Sequence, residues 1–80
     1  GVVLEVVKDE YLLVEVRSAF RPGEELELVP FNGRSINFEA TFAKDILGET
    51  FEKTKPGVLA KVPYVDGAEQ WNIIRKRILQ

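Results

Sequence analysis

Apolar and polar residues alternate with period two along most of the chain. Val2, Leu4 and Val6 alternate with Val3, Glu5 and Val7, and Leu12, Val14 and Val16 with Tyr11, Leu13, Glu15 and Arg17. Leu26 and Leu28 alternate with Glu25, Glu27 and Val29, and Ile36, Phe38, Ala40 and Phe42 with Asn37, Glu39, Thr41 and Ala43. This period predicts strands with one face buried. The apolar positions are rich in β-branched and aromatic residues, which suit a pleated, half-buried surface.

The interruptions are turn chemistry. Lys8-Asp9-Glu10 predicts a hairpin between the first two strands. Pro22-Gly23 and Pro56-Gly57 each suit a type II turn, proline fixing φ and glycine accepting φ > 0. Asn32-Gly33 predicts a two-residue type I′ hairpin turn. Asp66-Gly67 marks a further turn before a last segment, 71–79. Residues 44–50 are compatible with a helical turn, and 64–72 with a loop or a short helix. About seven strands in so short a chain predict an all-β fold: a small closed or partly open antiparallel barrel of about six to seven strands. Closure suits a small domain because it hides strand edges. Phe20, outside the alternation, is expected to plug one end of the barrel, and Trp71 to cap the core.

The length and composition fit one domain, 1–80, with 45% apolar residues in short patterned runs. The chain has no methionine and opens in mid-strand, which reads as the excised C-terminal part of a longer protein. No apolar run approaches the roughly 20 residues of a membrane span, and no signal peptide is visible. The expectation is therefore a cytoplasmic domain with no membrane partner.

The 11 basic and 13 acidic residues give a net charge of −2, which predicts no strong unspecific pull toward nucleic acid. Histidine and cysteine are both absent. Ser-His and Cys-His nucleophile pairs, thiolate metal sites and iron–sulfur ligation cannot be built within this chain. Ser18 and Ser35 lie beside turns, where serine commonly bonds local backbone. Glu15, Glu25 and Glu27 read as a solvated charged face rather than acid–base machinery. No Gly-rich phosphate cradle or calcium-loop pattern occurs. The expectation is a chain with no catalytic site, no metal site and no cofactor of its own. The candidate contact residues are basic: Arg17, Arg21 and Arg34 around the second strand and its following turns, and Arg75 and Arg77 near Trp71. Arginines beside aromatics can hold phosphates and stack bases, so an RNA-contacting face is one reading, and it predicts these arginines on one side.

Three runs carry a family resemblance: Gly1-Val2-Val3-Leu4-Glu5-Val6, then Tyr11-Leu12-Leu13-Val14-Glu15-Val16-Arg17, then Phe20-Arg21-Pro22-Gly23-Glu24-Glu25-Leu26-Glu27-Leu28. Together with Gly48-Glu49, Pro56-Gly57 and a terminal apolar-Arg-x-Arg segment, they resemble the C-terminal domain of peptidase family U-32, bacterial collagenase-like proteases of unassigned mechanism. Ser18 and Glu24 depart from that pattern, where members usually carry Asn and Asp. The resemblance implies a barrel similar to the second domain of translation elongation factors. It also implies a parent classed as a peptidase, with relatives linked to tRNA or rRNA hydroxylation through cysteine-bound chemistry in an upstream domain. This chain would then be a non-catalytic accessory module that positions substrate, RNA among the options, for the upstream catalytic domain. The alternative is a structural or protein-interaction module that docks to its own catalytic domain or self-associates.

Overall fold

The structure, a computed structural model, describes residues 1–77. Six strands form one antiparallel sheet: β1 (Val2–Val7), β2 (Tyr11–Glu15), β3 (Glu25–Val29), β4 (Ile36–Glu39), β5 (Leu59–Pro63) and β6 (Ile73–Lys76). Their spatial order is β4-β3-β6-β1-β2-β5. The ladder does not close, since β4 and β5 are its two edges. Beyond β4 the chain bends at a γ-turn, where the Thr41 N–H donates to the Glu39 carbonyl at 2.9 Å. It then reaches β5 through a single bridge, Lys44 to Lys61. The fold is the partly open form of the expected barrel.

The curved inner face holds the core. Val3, Leu12, Val14, Val16, Leu26, Leu28, Ala60, Val62 and Ile74 are buried there, with Phe20, Ala40, Ala43 and Val65 closing the gaps. Phe20 is held by Thr54, whose Oγ1 accepts its N–H at 2.9 Å and donates to its carbonyl at 3.2 Å. The expected plug role of Phe20 is fulfilled with a buried threonine as its latch. Pro63 lies on an edge strand, where its missing N–H is tolerated.

Several turns follow their chemistry. Gly23, Gly57 and Gly67 all sit near φ +90°, each one residue before the N–H that closes its turn. Asn32-Gly33 does not make a two-residue turn. Pairs such as Leu26↔Phe38 and Leu28↔Ile36 place apolar residues opposite one another on the inner face. A two-residue loop at 32–33 would shift that register by one and set Leu28 against Asn37, turning the apolar set outward. The register wins, and the connection is the longer segment 30–35. In β1 a bulge at Leu4 shifts the register between Val3 and Glu5. Val3 and Val6 therefore both face inward, which simple alternation of 2, 4 and 6 does not allow. Residues 44–50 form a loop bridged by Lys44 and Thr50 around a β-turn at 45–48, rather than a helical turn. Residues 64–72 are a loop with two turns. The last strand covers 73–76 of the expected 71–79, and Ile78 and Leu79 lie outside the described residues.

Candidate functional site

Strand register fixes which side chains share the outer face. Val29 pairs with Ile73, Ile73 with Val2, Val2 with Glu15, and Glu15 with Leu59. Directly paired residues project to the same side, so Val29, Ile73, Val2, Glu15 and Leu59 make one row across five strands. Four of its five members are apolar, and Ile73 is 44% exposed. Phe31 follows Val29 by two residues and Trp71 precedes Ile73 by two. Both leave the sheet at the same end of the row, and they are 63% and 55% exposed.

Trp71 was expected to cap the core, and the structure overturns this. Its backbone sits at φ 75°, the second central position of a turn in which the Asn72 N–H donates to the Glu69 carbonyl at 3.1 Å. Glycine is the usual occupant of such a position. A bulky side chain there is an outlier with a cost in strain, and such strain clusters at functional sites. The turn is braced by the Trp71 N–H donating to the Val3 carbonyl at 2.7 Å, and by Asn72 Oδ1 accepting the Glu69 N–H at 2.8 Å. Asn72 is buried, and its Nδ2 has no partner among the described residues.

The five arginines divide between the two ends of the sheet. Arg17, Arg75 and Lys76 line one small depression beside Gly1 and Phe20. Arg77 follows on the outer face of β6, and Arg21 lies in the turn entering β3. Arg34 lies in the 30–35 segment at the opposite end, with Phe31. Most of the arginine charge near the depression is matched. Arg17 Nε reaches Glu15 at 2.9 Å, Arg75 is paired with Glu27 and Arg77 with Glu25. The carboxylates read from the sequence as a solvated face are these partners. Lys76 approaches Glu24 at 3.4 Å. The Glu24 carboxyl is held below the usual glutamate range, first by the Arg21 backbone N–H it accepts and then by Lys76.

Ser18 and Ser35 are exposed beside turns. Among the described residues, no cluster of three or more Asp or Glu side chains has metal-binding geometry. Among the described residues, no helix is long and apolar enough to cross a membrane.

The sequence model described as "Peptidase family U32 C-terminal domain" matches residues 1–75. The chain belongs to that family. Its fold is also that of the crystal structure of the C-terminal domain of a "Geobacillus thermoleovorans putative U32 peptidase". The two superpose with a TM-score of 0.88 over 98% of this chain and 90% of that one, at 22% identity. No curated protein sequence matches the chain. The U32 domain thus presents two distinct ends: an apolar one built on Ile73 and Trp71, and a charge-matched one built on the arginines.

Proposed function

We propose that this chain is an accessory, non-catalytic module that holds the preceding domain of its own polypeptide against the Val29–Ile73–Val2 row, and by doing so positions substrate for that domain. The observation that carries this reading is Trp71, a strained residue whose ring stands exposed beside an apolar row. An indole held outward at a cost in backbone energy is a natural interface anchor, because tryptophan dominates the energetics of protein contacts. The family description supports this choice of partner, since a C-terminal domain implies one before it. In such a protein the preceding chain would join at Gly1, whose backbone pairs with Ile74, next to Ile73 on β6.

The test separates the two pieces. This chain and the preceding part of its parent, produced separately, are mixed in a calorimeter. The expected result is association that Ile73→Glu weakens by about tenfold or more, a loss of roughly 1.4 kcal/mol. Arg77→Glu, on the other end, should change it less than about twofold. No association, or equal losses from both variants, would contradict the docking reading.

A second reading has support in the gathering of Arg17, Arg21, Arg75, Lys76 and Arg77 at one end, where RNA phosphates would bind. Exposed ion pairs contribute little and can be exchanged for phosphate contacts. The pairing with Glu15, Glu25 and Glu27 nevertheless lowers the positive field, which makes this the weaker reading. A tRNA titration giving salt-dependent amide shifts confined to 17–21 and 75–77 would favour it.

A further inference from the structure

β1 pairs with β2 along its whole length but with β6 only at its start. The Gly1 backbone bonds to Ile74 in β6 and the Val3 backbone to Trp71 and Asn72 leading into it, and there the turn at Glu69–Asn72 carries that chain away. The left-handed backbone of Trp71 is the hinge of this departure. The far half of β1 is left with an edge on that side.

The direction of the Val6 backbone follows from register. Val16 bonds to Gly57 and Val58 through both its N–H and its C=O. β2 and β5 pair one to one, so Val14 and Leu12 also direct their backbone groups toward β5. Leu12 is the partner of Val6. The pair Val6↔Leu12 is therefore a non-hydrogen-bonded one, and the Val6 N–H and C=O point away from β2. The Val6 side chain meanwhile packs against the core, which fixes the strand in place.

What faces that edge is an open groove of about 450 Å³ lined by Leu4, Glu5, Val6, Ala68, Glu69 and Gln70. Its two charged walls are both carboxylates, and neither makes an ion pair among the described residues. Asp9 and Asp66 lie at the same end and face Tyr64, whose phenol pKa is raised by desolvation first and then by those two charges. Free backbone groups in an open acidic groove select for an extended peptide with positive side chains.

We infer that the edge of β1 at Val6 accepts an extended basic peptide strand, seated in the groove between β1 and the 68–70 segment and held by backbone pairing to Val6 and by Glu5 and Glu69. This contact is separate from docking on the outer row, and either can fail without the other.

The probe is a capped heptapeptide of alternating lysine and valine, added to the ¹⁵N-labelled chain. The expected result is amide shifts confined to residues 4–7 and 68–72, with slowed exchange of the Val6 N–H. The alternating glutamate–valine peptide should produce none at the same concentration. Glu5→Lys with Glu69→Lys, both surface changes that leave the fold intact, should weaken binding of the lysine peptide by about tenfold. Val6→Pro, checked for retained fold by circular dichroism, should abolish it by removing the donor. The proposal is overturned if shifts are absent at 4–7, if they fall on Val29, Ile73 and Val2 instead, if the acidic peptide binds equally well, or if the charge-reversed chain binds unchanged.

Discussion

Trp71 occupies a backbone position that Gly23, Gly57 and Gly67 fill elsewhere in the chain. A left-handed conformation costs an ordinary residue about 1–2 kcal/mol, and the exposed indole recovers little of that by packing. Trp71→Gly is therefore expected to leave the free domain as stable as before, or to raise its stability by about 1 kcal/mol in urea unfolding. The same change should weaken docking. A loss of stability above about 1 kcal/mol would mean that the ring serves the core after all. Glu24 makes a smaller prediction at this scale. Its folded carboxyl titrates below the ordinary glutamate value, so its stabilising effect is present above that value and is lost as pH falls through the depressed one. The group is well exposed, which limits the effect to well under ~1 kcal/mol. Carboxyl titration by NMR should place the Glu24 midpoint below the ordinary glutamate value; a midpoint at or above that value would remove this effect.

At the scale of elements, the Phe20–Thr54 contact joins the turn after β2 to the segment before β5. Thr54→Val keeps the volume but leaves the buried Phe20 N–H without an acceptor. The expected cost is about 1–3 kcal/mol, whereas Thr54→Ser should cost much less. A loss from Thr54→Ser with none from Thr54→Val would show that the methyl group, not the hydroxyl, matters. Thr54 carries no signal in the sequence: one polar residue in the polar stretch Glu52-Lys53-Thr54-Lys55 shows nothing of its burial. The strands themselves were legible, because alternation and Pro-Gly turns agree. Asn32-Gly33 misleads because local turn preference competes with the register of Leu26 and Leu28, and the buried pairs outweigh it. The bulge at Leu4 is illegible because Val2, Val3 and Leu4 are all apolar, so a one-residue slip changes no letter in the pattern. The outer row was equally hidden, since its members are brought together only by the strand order β3-β6-β1-β2-β5.

The whole molecule has two unlike ends. The arginines Arg17, Arg21, Arg75 and Arg77 gather at one, neutralised largely by glutamates. Trp71, Phe31, Ile73 and the free edge of β1 lie toward the other. The candidate arginines were legible as residue types, but their partners were not, because the Glu25–Arg77 and Glu27–Arg75 pairs span about fifty positions of sequence. A domain of this size buries only about 60% of its chain surface on folding, so apolar area left outside is area withheld from its own stability. That trade is reasonable where another surface covers the row. The central claim is that the Val29–Ile73–Val2 row is covered in the parent protein. Hydrogen exchange, compared between the free domain and the intact parent, tests it most directly. The account predicts added amide protection at Val2, Val29, Trp71 and Ile73, with exchange at 17–21 unchanged. Identical exchange in the two settings, or protection confined to the arginine end, would contradict it.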